Sequence, residues 1–270
     1  MLEEYYNKET KTLLIPFNFN EELKDLPVDT EIIIFKEDYN KYEYSLFNGL
    51  VDNLPQSLTH LTFGRWFNRQ IDNLSANLIH LTLGYCFNQK VDNLPSNLTH
   101  LTFGEDFNRR VDNLPNGLTH LTFGADFNHE ANNLPIGLKY LAFGHCFNQQ
   151  VDNLPNSLTH LTFGYWFNQK VDNLPNNLKY LTFGDYFNQE VDNLSKNLTH
   201  LTFGGNFNQK VDNLPSNLTN LTLGWDFNKI VDNLPPNIKK IKIREDKLIL
   251  LKKIPFGCKI IDENNKEIFL

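Results

Sequence analysis

Six histidines stand at one position of a repeating pattern, and imidazole side chains bind zinc and change charge near neutral pH. Two tyrosines fill gaps in the same column. Its members are His60, His80, His100, His120, Tyr140, His160, Tyr180 and His200. Zinc requires ligands that converge on one point, whereas equal spacing predicts a straight row of rings about 5 Å apart. We therefore expect an exposed ladder of stacked rings that is weakened by protonation near pH 6, with a metal site as the alternative.

A second column is acidic, and carboxylate oxygens are the ligands that calcium prefers. It comprises Asp52, Asp72, Asp92, Asp112, Asp152, Asp172, Asp192, Asp212 and Asp232, with Asn132 in the gap. Calcium-binding coils carry Gly-rich nonapeptide signatures, which this sequence lacks. We interpret the column as turn caps and keep calcium as the alternative. The basic residues expected to relieve the repulsion between the caps are Arg69, Lys90, Arg109, Arg110, Lys170, Lys210 and Lys229.

The three cysteines offer little nucleophilic or disulfide chemistry. Cys86 and Cys146 share a repeat position three units apart, a separation of roughly 14 Å that exceeds disulfide reach. Cys146 follows His145, but adjacent side chains diverge and no third orienting group is evident. The sequence also has no P-loop, HExxH or CxxC motif. We expect no catalytic residues, no metal and no cofactor.

These columns exist because the chain repeats every twenty residues. The string VDNLP, or a near copy, begins at Val51, Ile71, Val91, Val111, Ala131, Val151, Val171, Val191, Val211 and Val231. Nine complete units therefore run over residues 51–230 without an insertion. A fixed interval of this length is typical of a solenoid, in which each coil buries its apolar face against its neighbours.

Within each unit, the spacing LxxLxF predicts one short strand. In the first 20-residue repeat, Leu61 and Phe63 point toward the core while His60 and Thr62 point away from it. Equivalent strands would pair in parallel, one per coil. The return segment contains Pro55 and is too short for a long helix, so we expect it to be extended or a 3₁₀ turn. The predicted fold is a leucine-rich-repeat-like solenoid that is rich in β-structure, with little helix.

Four constant positions indicate how each coil is built. The Phe67 column predicts a buried apolar spine. The Asn68 and Asn53 columns predict ladders of side chains that satisfy backbone groups in the turns. The Gly64 column ends each strand, where the absence of a Cβ atom allows a sharp turn.

The ends of the chain depart from the repeat and are interpreted as caps. Residues 1–50 are predicted to form an N-terminal cap, within which residues 19–38 keep the offsets of a degenerate first coil. Residues 231–270 are predicted to form a degenerate repeat and a C-terminal β cap. That cap would include a hairpin of Lys259–Asp262 with Lys266–Leu270. Caps are expected because open solenoid ends expose core and strand edges.

The run LPxxLxxLxFGxxFN resembles the FNIP repeat, a variant leucine-rich repeat known from social amoebae and from giant viruses that infect amoebae. The resemblance extends from Phe47 to about Ile243. It implies a scaffold for protein interactions. Some family members carry an F-box, so the resemblance also implies a host factor or the ubiquitin pathway as a source of partners.

Two positions directly after each glycine vary while their surroundings repeat. Their eighteen residues include three Trp and three Tyr, the residue types enriched at binding hot spots, together with five acidic residues and one Arg. Neutral variation at an exposed turn is the alternative. We predict a partner-binding surface formed by Trp66, Glu105, Asp106, Asp126, Tyr165, Trp166, Asp185, Tyr186 and Trp225, with Tyr165, Trp166 and Tyr186 as anchors.

Composition limits the other functional classes. The chain has 270 residues and a formal net charge of −7, which argues against non-specific binding of nucleic acid. No apolar run approaches the length of a membrane span, and the acidic start is unlike a secretory signal. We expect no membrane association and a cytoplasmic location, in the host if the protein is viral.

The sequence thus predicts a non-catalytic protein-interaction scaffold whose partner has a basic or polar surface. Two alternatives remain open. One is a structural or self-assembling solenoid, such as a virion component or an ice-binding array, for which the column Thr62, Thr82, Thr102, Thr122, Thr162, Thr182, Thr202 and Thr222 is relevant. The other is carbohydrate recognition by exposed aromatic side chains. The oligomeric state is left open.

Overall fold

A computed structural model describes residues 2–268 of the chain. They divide into two compact units, residues 2–129 with 133–138, and residues 130–132 with 139–268. Each unit is a solenoid in which short parallel strands are joined by extended segments, and helix is almost absent. The predicted leucine-rich-repeat-like fold is therefore confirmed.

The first unit begins with a 3₁₀ helix, Leu2–Tyr5, and an antiparallel pair of strands, β1 (Tyr6–Asn7) and β2 (Thr12–Ile15). The strands of this unit from β2 onward pair in parallel. The strands that follow are β3 (Ile32–Phe35), β4 (His60–Thr62), β5 (His80–Thr82), β6 (His100–Thr102) and β7 (His120–Thr122). Strand β2 precedes the degenerate coil expected at residues 19–38 and was not anticipated from the sequence.

The second unit continues the same pattern with parallel strands β8 (Tyr140–Ala142), β9 (His160–Thr162), β10 (Tyr180–Thr182), β11 (His200–Thr202), β12 (Asn220–Thr222), β13 (Lys240–Lys242) and β14 (Lys259–Ile261). A 3₁₀ helix, Glu245–Leu250, lies between β13 and β14. Strand β15 (Glu267–Ile268) pairs antiparallel with β14, in the segment where the sequence predicts a hairpin. Phe269 and Leu270 of that prediction lie outside the described residues.

The return segments are extended chain interrupted by isolated turns. In the first full coil, the Leu58 N–H donates to the Pro55 carbonyl (3.1 Å) and the Phe67 N–H to the Gly64 carbonyl (3.3 Å). Within the described residues, 3₁₀ helix occurs only near the two ends of the chain. The return segments of the repeats therefore combine the two predicted conformations, extended chain and single turns closed by hydrogen bonds between residues three apart.

The core of each coil is an aromatic pair and a set of aliphatic side chains. Phe63 and Phe67 stack with ring centroids 3.7 Å apart, and Phe67 is fully buried. Successive members of the Phe67 column lie 6.0–6.3 Å apart within each unit. The predicted spine is thus present, and it orders each coil against the next.

Glycine is required at the Gly64 column for a reason that the sequence did not predict. A Cβ atom on Gly84 would lie 1.8 Å from the carbonyl oxygen of Gly64, and one on Gly184 would lie 2.0 Å from that of Gly164. Within the described residues, Gly257 is the glycine with a positive φ. A turn does begin at Gly64, whose carbonyl accepts the Phe67 N–H, but these glycines are needed because the backbones of successive coils meet there.

The Asn68 column forms the predicted ladder. The side-chain oxygen of Asn48 accepts a hydrogen bond from the backbone N–H of Asn68 (2.9 Å), and Asn168 accepts one from Asn188 (2.9 Å). Each coil thereby satisfies a turn of the next coil.

The carboxylates of the aspartate column have hydrogen-bond partners that the sequence did not predict. The side-chain amide of Asn73 donates to Asp52 Oδ1 (3.1 Å), and Asn173 donates to Asp152 (3.1 Å). Arg69 Nε instead donates to the backbone carbonyl of Asn48 (2.9 Å), as Arg109 Nε does to that of Asn88. The hydrogen-bond partners of these aspartates are thus side-chain amides of the next coil, while Arg69 and Arg109 donate to backbone carbonyls.

Candidate functional site

The predicted ring ladder lies on the half-exposed face of the strands in both units. In the first unit, the four rings from His60 to His120 stack with centroids 4.0–4.3 Å apart. In the second unit, tyrosine and histidine alternate from Tyr140 to His200 with centroids 4.1–4.4 Å apart. Face-to-face stacking holds the rings parallel, so their nitrogen atoms do not converge on one point.

Threonine hydroxyls set the tautomer of these histidines. The Thr59 hydroxyl donates its proton to the carbonyl of Glu31 (3.0 Å), so at the 2.8 Å contact with His60 the imidazole Nδ1 must be the donor. The same contact to the preceding threonine is made by His100, His120, His160 and His200 at 2.8–3.0 Å. His80 follows Ile79 and lacks such a hydroxyl.

The ladder favours neutral imidazole. Burial lowers the pKa of His80 and His100, and neighbouring histidines lower it further. Burial also lowers the pKa of His160, with added effects of Lys179 and His200, and it lowers the pKa of His200. The folded ladder therefore resists protonation, which gives a physical basis for the predicted sensitivity to acid.

The variable pair after each glycine forms a second ladder, of backbone hydrogen bonds. The second residue of a pair donates its N–H to the carbonyl of the first residue one coil earlier. Trp166 donates to His145 (3.0 Å) and Tyr186 donates to Tyr165 (3.0 Å). Sequence reasoning missed this ladder because backbone bonds are independent of side-chain type. Its effect is to hold variable side chains at a regular spacing on a firm backbone.

Three of the predicted partner-binding residues meet in the second unit, and we call Tyr165, Trp166 and Tyr186 the Trp166 cluster. Their ring centroids lie 5.1 Å (Tyr165–Trp166), 5.0 Å (Tyr165–Tyr186) and 4.1 Å (Trp166–Tyr186) apart. The ring of His145 stacks on Tyr165 at 4.7 Å. Trp166 remains 43% exposed and Tyr186 38% exposed, so part of the aromatic surface is open to solvent.

Asp185 adds a carboxylate beside this cluster. Its Oδ1 accepts a hydrogen bond from the Gly205 N–H (2.9 Å). Burial raises the pKa of Tyr165, and the nearby Tyr186 and Asp185 raise it further. The loop thus combines aromatic faces with one negative charge.

Trp66 and Trp225 have different surroundings, because each lies beneath an arginine. The guanidinium carbon of Arg65 lies 4.7, 5.5 and 4.1 Å from the ring centroids of Tyr44, Trp66 and Tyr85, which together with Arg65 we call the Arg65 cluster. Arg244 lies over Trp225 at 4.2 Å. The sequence placed both tryptophans in the variable pairs but carried no signal for Arg244, which stands outside them.

The other predicted acidic residues divide into two kinds. Glu105 Oε2 accepts a hydrogen bond from the Ala125 N–H (2.7 Å) and so caps the next coil, although Glu105 remains exposed. Asp106 lies near Cys86 and is half-buried, whereas Asp126 is exposed. The structure therefore places Asp126 and Glu105 at the surface, with Asp126 bonded through its backbone N–H to the Glu105 carbonyl (2.8 Å) and Glu105 bonded also through its carboxylate.

Cys86 and Cys258 are not activated as nucleophiles. Burial, followed by the charge of Asp106, raises the pKa of the Cys86 thiol, and burial raises that of Cys258. A raised pKa keeps a thiol protonated and less nucleophilic. Among residues 2–268 no group of three His, Cys, Asp or Glu side chains is arranged to hold a metal ion.

The repeats match the FNIP Repeat over residues 47–86, 67–106, 87–126, 107–146, 127–166, 147–173, 167–195 and 210–246. The chain belongs to the FNIP-repeat family. The resemblance found in the sequence is thereby confirmed. Within the described part of this FNIP-repeat chain, no helix is long and apolar enough to cross a bilayer.

This FNIP-repeat chain is similar to CroV588 of the giant virus CroV, whose crystal structure is described as a novel circular LRR protein. The two are 36% identical over 93% of this chain and 46% of CroV588, with a TM-score of 0.68, so the chain spans about half the length of CroV588. YopM from Yersinia enterocolitica WA-314 is 19% identical over 97% of this chain and 65% of YopM, with a TM-score of 0.49. No curated protein matches the chain.

The family and the fold together support a general conclusion. Stacked repeats of this kind present an extended surface of the sort that repeat proteins use for binding. The chain is therefore a repeat scaffold consistent with a role in protein interaction.

Proposed function

We propose that this FNIP-repeat protein is a non-catalytic scaffold that binds a partner protein through the face of its strands and the neighbouring loop pairs. The observation that carries the proposal is the Trp166 cluster. Its three aromatic side chains come from two adjacent coils, contact one another and remain partly exposed on a regular backbone ladder. Tryptophan and tyrosine are enriched at hot spots because they bury large surfaces at a low entropic cost.

The partner surface is proposed to be basic or polar. Asp126 and Asp185 expose carboxylates within the loop pairs, and negative groups beside an aromatic anchor favour complementary charge and speed association. The three cysteines are free thiols, which fits a reducing compartment. We place the interaction in the cytoplasm, in the host cell if the protein is viral, with ubiquitin-pathway proteins among the candidates suggested by the family.

The test begins with affinity purification of the full chain from amoebal lysate and mass spectrometry. Each candidate is then expressed alone, and its direct binding to the chain is measured by calorimetry. Trp166→Ala should weaken binding about 30-fold or more, equivalent to roughly 2 kcal/mol, with an unchanged thermal midpoint.

Trp66→Ala serves as the matched control, because Trp66 is equally exposed but already lies beneath Arg65. It should change the affinity much less than Trp166→Ala does. Equal binding by wild type and Trp166→Ala would show that the anchor has been assigned wrongly.

Assembly of several copies is a second candidate function. Residues 1–50 contain eleven acidic and five basic residues, whereas residues 231–270 contain nine basic and six acidic residues. Opposite charges favour head-to-tail contacts, which close into rings or extend as filaments. Light scattering coupled to size exclusion tests this candidate: oligomers that dissociate at high salt would support it, and a monomer at low salt and high concentration would contradict it.

A further inference from the structure

The chain contains three tryptophans, and two of them already bind an arginine of the same chain. Arg65 lies over Trp66 and two tyrosines, and Arg244 lies over Trp225. Among the described residues no cation lies over Trp166. In the Trp166 cluster His145 stacks on Tyr165 at 4.7 Å, and Trp166 and Tyr186 keep exposed ring surface.

The two clusters have closely related compositions. The Arg65 cluster and the Trp166 cluster each contain two tyrosines and one tryptophan, and both are built around the variable pair after a glycine. In the first unit the pair is Arg65-Trp66, which supplies its own guanidinium. In the second unit the pair is Tyr165-Trp166, so the position of the arginine is taken by a third ring.

The charge beside the Trp166 cluster is also suited to a cation. Asp185 lies in the same loop as Tyr186, is exposed, and uses Oδ1 to accept the Gly205 N–H. A carboxylate accepts several hydrogen bonds, so its second oxygen is available to a donor that arrives at the cluster.

The spacing of the rings selects the shape of the cation. Centroids 4.1–5.1 Å apart mean that the rings are in contact with one another, which leaves no gap between them for a rounded ammonium group. A planar guanidinium instead stacks on an outer face, as Arg65 does on Tyr85 at 4.1 Å.

We propose that the Trp166 cluster binds an arginine side chain of the partner, with the guanidinium stacked on the exposed rings beside the Asp185 carboxylate. This inference rests on the proposed scaffold function and specifies the chemistry of its anchor. The arginine would take, between two proteins, the place that Arg65 takes within the first unit.

The test uses the full chain labelled with ¹⁵N and follows its three indole N–H signals, which are assigned with the single variants Trp66→Phe, Trp166→Phe and Trp225→Phe. The probe is arginine amide, with lysine amide and sodium chloride at equal ionic strength as controls. Arginine amide should shift the Trp166 signal along a saturating curve and leave those of Trp66 and Trp225 nearly unchanged.

Two further variants sharpen the test. Asp185→Asn keeps the oxygen that accepts the Gly205 N–H but removes the charge, and it should raise the half-saturating concentration about two- to fivefold. Arg65→Ala removes the internal guanidinium and should make the Trp66 signal respond to arginine amide as the Trp166 signal does. This variant retains the hydrogen bond that the backbone N–H of residue 65 donates to the Glu37 carboxylate.

The outcomes separate this inference from the scaffold function. Equal shifts with lysine amide, equal shifts at all three indoles, or no saturable shift at Trp166 would overturn the assignment of arginine. A partner that loses affinity with Trp166→Ala while arginine amide has no effect would leave the scaffold function intact and refute only the arginine. If arginine amide shifts the Trp166 signal but no partner loses affinity with Trp166→Ala, the arginine site would be supported and the scaffold function would be contradicted.

Discussion

The Arg65 cluster and the Trp166 cluster show how one frame carries two kinds of surface. In the first unit, a guanidinium covers three aromatic rings at 4.1–5.5 Å. In the second unit, three rings contact one another, and the ring that stacks on Tyr165 is His145 rather than a guanidinium. A change from Arg65 to Tyr165 at one repeat position is thus accompanied by a change from rings that carry a guanidinium to rings that contact one another, while the exposure of Trp66 (45%) and Trp166 (43%) stays similar.

The ring ladder also differs in composition between the two units. Four consecutive histidines stack in the first unit, whereas tyrosine alternates with histidine in the second. The constant positions of the repeat build the backbone, and the variable positions choose its charge and chemistry. The comparison predicts that core changes will affect both units alike, while changes in the variable positions will affect only one.

The largest effect is expected from the phenylalanine spine. Phe67→Ala and Phe167→Ala each remove a fully buried ring and should each lower the free energy of unfolding by about 3–5 kcal/mol. Urea denaturation followed by circular dichroism measures both. The Leu variants at these positions, which leave smaller cavities, should cost less. A difference of more than about 2 kcal/mol between the two Ala variants would show that the units do not share one frame.

This frame was largely predictable from the sequence, because every coil repeats the same constraints. The alternation around Leu61 predicted the strand, and the Phe67 column predicted the spine that the structure contains. The role of Gly84 was not predictable, because the contact of its Cα with the Gly64 carbonyl depends on the distance between coils. Partners of the aspartates were also missed, since Asn73 reaches Asp52 across coils.

The candidate site was predictable in position but not in organisation. The residue types predicted that Trp66, Tyr165 and Trp166 lie on exposed turns. In the structure Trp66 and Trp166 are exposed and Tyr165 is half-exposed. Their pairing with Arg65 or with other rings depends on side-chain directions that spacing does not fix. Arg244 lies nineteen positions after Trp225 in sequence and contacts it only through the coil.

A smaller effect is expected from the asparagine ladder. Asn168→Ala leaves the Asn188 N–H without its 2.9 Å acceptor and should cost about 1–2 kcal/mol of unfolding free energy. Asn68→Ala should cost a similar amount, because Asn88 donates to Asn68 at 3.0 Å. Chemical denaturation provides the measurement, and Asn168→Asp, which keeps an acceptor oxygen, is the control. If both Ala variants were as stable as wild type, the asparagine ladder would not contribute to the stability of the coils.

A still smaller effect is expected from pH, and it should be stronger in the first unit. Burial lowers the pKa of His80 and His100 in the folded protein, so the unfolded chain binds protons more readily. Stability contributed by the neutral rings is therefore complete above the ordinary histidine pKa of about 6.5 and is lost as the pH falls below it. Solvent screening of these half-exposed rings keeps the loss below that of Asn168→Ala.

The variant His80→Tyr/His100→Tyr replaces the two histidines of the first unit whose pKa is lowered and leaves no two histidines adjacent in that ladder, as in the second unit. Its unfolding midpoint should fall less than that of wild type between pH 8 and pH 5, as measured by thermal denaturation in matched buffers. His129→Gln lies outside the ladder and controls for the loss of a histidine. A pH dependence unchanged by the double variant would rule out the ladder as the source of acid sensitivity.

The smallest effect is expected from removal of the guanidinium that distinguishes the two clusters. Arg65→Ala should lower the free energy of unfolding by about 0.5–1 kcal/mol, the range for an exposed cation–π contact. Arg65 lies closest to Tyr85, so a double-mutant cycle with Tyr85→Leu isolates their interaction from the other effects of each change. We expect most of the loss to appear as coupling energy between these two side chains, because stacking on the ring is what the guanidinium contributes. A coupling energy of zero would mean that Arg65 covers the rings without stabilising them, and the first unit would then no longer serve as a precedent for arginine at the Trp166 cluster.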